Sequence, residues 1–206
     1  MRRTRFSLAY AILAGTALML AGCSSSSDGG VMSSGGAAPA CSDQTGNRFV
    51  DCGNGTVTDS QTGLIWLKNA SCLGIAGFDA ANQLAADLGE GTHAACNLTD
   101  GSSPGDWYLP SLQDSTGTVC AFDDARCEFT AIFNPACAAP FVPDTTGSGC
   151  WSEADPFSGL QMRMYWSSTS FAGNADFAWL ARLDVGSVTA DSVTRDHYVW
   201  PVRSGS

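Results

Sequence analysis

The chain has 206 residues, 44% hydrophobic and only 15% charged, with 23 Gly, 9 Cys and 6 Trp. That length suits one domain with appendages, and the composition argues against disorder, a coiled coil and nucleic-acid binding. Acidic residues outnumber basic ones, 20 to 10; removing Arg2, Arg3 and Arg5 takes the net charge from −10 to −13, with Lys68 the only lysine, so polyphosphates and sulfated polymers are repelled at long range.

The first element is an address. Three arginines precede an apolar run from Leu8 to Leu20, too short for a comfortable membrane span and suited to a signal-peptide core. The run ends in Leu20-Ala21-Gly22-Cys23, which resembles the lipobox of bacterial lipoproteins. That resemblance implies a signal peptide over residues 1–22, export by the secretory pathway and lipidation of Cys23. Several acyl chains anchor stably, at about 0.8 kcal/mol per buried methylene, so the chain is expected on a membrane and not across it. Ser24 after the cysteine implies the outer membrane or cell surface. Residues 24–40 are a Ser/Gly tether.

Eight cysteines then remain: Cys41, Cys52, Cys72, Cys96, Cys120, Cys127, Cys137 and Cys150. An even number in an exported chain points to four disulfides, and no C-x-x-C pair suggests zinc. Spacing leaves the pairing open; Cys72–Cys96, flanking a helix, and Cys120–Cys127 are neighbour pairs.

A folded domain is expected over 41–203, with 204–206 as a tail. Arg48–Cys52 reads as a strand, Gly53-Asn54-Gly55 as a tight turn, Thr56–Thr58 and Leu64–Leu67 as further strands. Phe78 to Leu88 places Phe78, Ala81, Leu84, Ala85 and Leu88 on one helical face, with Gly89 as its stop. Asp106–Ser111 leads towards a second, weaker helical stretch. Residues 112–160 are irregular and carry four of the eight cysteines. Strands return at Tyr165–Thr169, Phe177–Leu183, Ser187–Thr189 and His197–Val202, around a turn at Asp184–Gly186. Strands at both ends with one or two helices between make an α+β domain with long disulfide-braced loops.

Four ordered stretches carry a family resemblance: R-F-V-D-C-G-N-G-T-V-T-D-S-Q-T-G-L-I-W-L-K-N-A from Arg48, D-W-Y-L-P-S from Asp106, Y-W-S-S-T-S from Tyr165 and Y-V-W-P-V-R from Tyr198. Together they are similar to the Lcl C-terminal domain family of bacterial exported proteins, from about Arg48 to Arg203. The resemblance implies a C-type-lectin-like fold in which N- and C-terminal strands pair and a long loop region carries the binding surface. Some members act in adhesion and glycan recognition. Tyr108 stands where the family usually has Arg, and Trp200 where it has a basic residue.

Chemistry is sparse. The two histidines are His93 and His197, and no nucleophile elbow, zincin, P-loop or dinucleotide fingerprint occurs, so no enzyme is expected. No cofactor is implied. Calcium has oxygen donors in Asp123-Asp124 and the Asp/Asn-rich loops, but neither an EF-hand spacing nor the E-P-N, Q-P-D or W-N-D motifs of calcium-dependent lectins. The sequons at Asn54, Asn69 and Asn97 read as turn chemistry. The expected ligand surface runs from Asp176 through Trp200, with an exposed Trp200 stacking on a glycan or protein ligand and Asp184, Asp191, Arg195 and His197 hydrogen bonding. Trp179 is expected in the core, because both faces of its strand are apolar. A purely structural role in the cell envelope, contacting a neighbouring protein, is the alternative.

Overall fold

The computed structural model describes residues 39–205; the expected signal peptide, Cys23 and most of the tether lie outside them. Two sheets and one α-helix form a small α+β domain. The first sheet has strands β1 (Phe49–Asp51), β2 (Thr56–Asp59), β3 (Leu64–Leu67) and, from the far end of the chain, β9 (Val202–Ser204). Their order is β1-β2-β3-β9, all antiparallel. The expected pairing of N- and C-terminal strands is therefore present.

Asn54 sets the first turn. Its side-chain oxygen accepts from the Thr56 amide and hydroxyl, the local bond that makes Asn a turn former. Gly55 follows with φ +87, and a Cβ there would sit 2.6 Å from the Asn97 carbonyl oxygen. The same carboxylate version of this turn recurs in three Asp-x-Thr-Gly stretches. Asp43, Asp114 and Asp144 each accept from the threonine two residues on, and each stretch ends on a glycine of positive φ.

The second sheet has β4 (Ile75–Ala76), β5 (Met164–Ser170), β6 (Phe177–Arg182), β7 (Ser187–Ser192) and β8 (His197–Tyr198), in the order β4-β8-β5-β6-β7. The expected last strand, His197–Val202, is thus two strands in different sheets. Pro201 carries no N–H for a ladder, and the chain crosses between the sheets at Val199-Trp200-Pro201. Leu67 stitches that crossing: its N–H donates to the Pro201 carbonyl, and its own carbonyl accepts from the Trp200 indole at 2.8 Å. The expected tail also starts later, because Ser204 pairs with Leu64 and Gly205 donates to the Gly63 carbonyl.

The helix α1 covers Phe78–Ala86, two residues short of the expected end, with Asp87 as its cap. It buries Ala81 and Ala85, and Phe78 meets the Trp166 ring edge-on at 5.4 Å. The expected second helical stretch after Ser111 does not form. Asp114 instead closes a turn by accepting from the Thr116 and Thr118 amides, and Cys120 donates to the Leu112 carbonyl. Only a short 3-10 turn follows, at Thr130–Ile132.

Four disulfides brace the loops: Cys41–Cys52, Cys72–Cys96, Cys120–Cys127 and Cys137–Cys150. Trp66, Trp107, Trp166 and Trp200 are all fully buried in one core with Tyr165, Phe129 and Phe157.

Candidate functional site

Trp200, expected to project from the surface, is wholly buried. Its ring lies 4.9 Å from Trp66 and 5.2 Å from Phe157, and its indole N–H is taken by Leu67. A side chain at the crossing between two sheets points into the space between them, which a single-strand reading of residues 197–202 does not capture. Trp200 is core and offers no stacking face.

The polar candidates divide. Asp191, Arg195 and His197 come together: the Asp191 carboxylate lies 3.0 Å from His197 Nε2 and 3.4 Å from Arg195 Nε. Arg195 is exposed, whereas His197 is nearly buried with its ring 4.8 Å from Trp166, edge-on. Asp184 is elsewhere, in the turn between β6 and β7. Asp191 lies four residues along β7 from Ser187, the strand's first residue, about 13 Å at the usual rise. Asp184 is engaged by Arg182 at 2.7 Å, and that guanidinium holds its carboxyl below the usual carboxylate range.

Beside the Asp191 cluster lies a cleft of about 330 Å³, lined by Ile75, Arg163, Met164, Asp196, His197 and Tyr198. Three strands build it. β4 and β8 pair through Ile75–Tyr198 and Ala76–His197, and β5 joins by the parallel bridge Tyr165–Tyr198. Tyr198 is half-buried and stacks on the buried Tyr165 ring, centroids 5.2 Å apart. Tyr165 in turn accepts from the Gln161 amide through its hydroxyl, and burial pushes that phenol up. Ile75 is 55% exposed, so one wall is apolar and open to solvent. Arg163 and Asp196 add one charge of each sign at the rim.

Within the described residues, then, four tryptophans from four sequence stretches share one core, and the C-terminal strand closes the N-terminal sheet. A family model, the Lcl C-terminal domain, matches residues 55–203. The chain belongs to the Lcl C-terminal domain family. No curated protein and no solved structure matches it. The family match spans every residue lining the Tyr198 cleft, and it begins after β1.

Tyr108, at the place where the Lcl family resemblance leads one to expect Arg, donates through its hydroxyl to Glu128 at 3.0 Å. Its backbone exchanges two bonds with Val202, so the D-W-Y-L-P stretch is a brace for β9. Trp179, expected in the core, is half-buried and packs on Phe171 at 5.4 Å. Phe171 and Phe177 are each 37% exposed, which leaves an aromatic surface on the outer part of β6. Among the described residues, no three His, Cys, Asp or Glu side chains converge as a metal-holding group. The Asp144 carboxylate is occupied by Thr146 and the amides of Gly147 and Gly149, which hold it below the usual range.

Sequence reasoning singled out His197, included Asp196 and Tyr198 only as part of the 176–200 surface, and missed Ile75, Arg163 and Met164. The available signal was Ile75, a single large apolar residue between Gly74 and Gly77 with no strand pattern around it. Tyr198 carried no such mark, since its neighbours in Y-V-W-P-V-R are buried.

Proposed function

We propose that this chain is a non-catalytic recognition domain with a C-type-lectin-like fold, carried on a lipid-anchored outer-membrane or surface lipoprotein. Its ligand is a glycan or a protein segment, bound in the Tyr198 cleft. The observation that carries this reading is the cleft itself: an aromatic ring fixed by stacking on a buried partner, an exposed apolar wall, and one cation and one anion at the rim. Few polar groups around an apolar floor give orientation without chemistry. The anchoring part rests on the Leu20-Ala21-Gly22-Cys23 stretch, and the acidic balance leaves nucleic acid out of the partners.

The test uses oxidised residues 23–206 with Cys23→Ser, screened on a glycan array with calcium and again with EDTA. Selective binding that falls at least tenfold in both Tyr198→Ala and Arg163→Ala supports the reading; binding that survives both substitutions removes the cleft from it. Loss in EDTA assigns a metal to the acidic loops.

A structural role beside a neighbouring envelope protein is the second reading, supported by the exposed Phe171 and Phe177 beside the half-buried Trp179. Aromatic residues of this kind anchor protein interfaces. A blank array together with a cross-linked partner on intact cells, lost in Phe171→Ser/Phe177→Ser, selects it.

A further inference from the structure

A second cleft lies on the first sheet and shares no lining residue with the Tyr198 cleft. It has a volume of about 240 Å³, and among its lining residues are Asp51, Gly55, Lys68, Asn69, Asn97 and Ser158. Four separate segments form it: 51–55, 68–69, 95–97 and 158. The Ser158 N–H donates to the Lys68 carbonyl, and the Ala70 N–H donates to the Ser158 carbonyl. The Cys72–Cys96 disulfide holds the Asn97 wall, while Gly55 lets that wall approach the hairpin. Asn97 itself sits in the left-handed region at φ +52.

The polar groups are unusually uncommitted. Asn69 uses its oxygen to accept from Ser71, and its position against Gly159 leaves no room for a Cβ there, which would sit 2.5 Å from that oxygen. Its side-chain amide nitrogen, the Asn97 side-chain carboxamide and the Ser158 hydroxyl have no hydrogen-bond partner among the described residues. Lys68, the only lysine, pairs with Asp51 at the cleft. Asn69 and Ser158 are half-buried and Asn97 is exposed; polar groups so placed are satisfied by water or by a ligand that replaces it.

We propose that this cleft is a binding site for the hydroxyl groups of a single neutral sugar ring. Lys68 donates to one hydroxyl and Asp51 accepts from its neighbour, while the two asparagines and Ser158 supply both donors and acceptors. The ligand is neutral because the cation and anion cancel, and an anion would also meet a chain of net charge −10. The volume lies below the usual range for drug-sized ligands, which limits the occupant to one ring. No aromatic residue lines the site, so the affinity is weak, on the order of 1 mM.

The experiment is amide NMR of residues 23–206 (Cys23→Ser) titrated in turn with galactose, mannose, glucose and N-acetylglucosamine to tens of millimolar. The expected result is saturable shifts, for at least one sugar, at residues 53–55, 68–69, 95–97 and 158. Lys68→Met and Asn97→Gly, which retain the backbone conformation, each weaken binding about fivefold, and Tyr198→Ala leaves it unchanged. Absence of shifts at these residues with all four sugars overturns the proposal, as do shifts that persist in both variants. Because the two clefts share no residue, shifts confined to 163–164 and 196–198 would refute this site while supporting the Tyr198 cleft.

Discussion

Arg203 and Asp100 form an ion pair of 3.0 Å with both side chains almost wholly buried, 4% and 0% exposed. The guanidinium also lies over the Trp107 ring at 5.5 Å, and Asp100 accepts from the Ser102 amide and hydroxyl. One contact thus ties β9, the D-W-Y-L-P stretch and the loop after Cys96 together. Removing one partner leaves the other charge buried and uncompensated, which costs about 3–5 kcal/mol. Asp100→Ala and Arg203→Met are each expected to lower the thermal midpoint by about 10 °C. The double substitution should recover part of that loss, and equal, additive losses in calorimetry would show that the pair is not coupled.

Trp200→Ala is a stability variant and not a binding variant. Its ring is enclosed by Trp66, Phe157, Tyr165 and Phe129, and truncating a buried Trp costs about 3–5 kcal/mol. The indole bond to Leu67 joins the two sheets at the crossing, so the loss is expected at the top of that range. Urea unfolding with disulfides intact reads it directly. A midpoint unchanged from the parent would put Trp200 back on the surface.

Much of this domain was legible because local chemistry and final structure agree. The helix at Phe78–Ala86 follows a 3.6-residue apolar spacing, and the first hairpin follows Asn54 and its glycines. Trp200 was not legible, since its place depends on a chain crossing that only Pro201 hints at. Trp179 is only partly in the core for another reason: its face of β6 is buried at Ala181 but open at Phe177, so the start of the strand carries an aromatic surface. The stretch after Ser111 promised helix by continuation, but Asp114, Thr116 and Gly117 form a turn that competes with it. The Tyr198 cleft depends on three strands from distant parts of the chain, and no spacing in the sequence encodes that.

The disulfides should differ in value by the size of the loop each closes. Cys72–Cys96 spans 24 residues and Cys120–Cys127 spans 7. Loop-closure entropy alone makes these worth about 3 and about 2 kcal/mol. Cys72–Cys96 also fixes one wall of the Lys68 cleft, so Cys72→Ser/Cys96→Ser should blunt any sugar-induced amide shifts there. Cys120→Ser/Cys127→Ser should leave them in place. Chemical denaturation of the two double variants side by side checks the ranking, and a larger loss from the shorter loop would reverse it.

Acid should loosen the loops, and the direction follows from the carboxylates. Asp184 is held low by Arg182, Asp144 by Thr146 and two glycine amides, Asp114 by Thr116 and the Thr118 amide, and Asp124 by Arg126. Each has a lower pKa folded than unfolded, so below about pH 4, the ordinary carboxylate value, the unfolded chain binds more protons. The stabilisation is complete above that value and is lost as pH falls through the folded values. The urea midpoint should therefore be level near neutrality and drop steadily from about pH 4 downward. These carboxylates are half-buried in surface turns and salt screens them in part, so the drop should shrink in high salt. Asp144→Asn, which keeps an acceptor for its amides, should make the acid limb shallower. A midpoint that holds or rises between about pH 4 and pH 2 would show that these turns do not depend on ionised carboxylates.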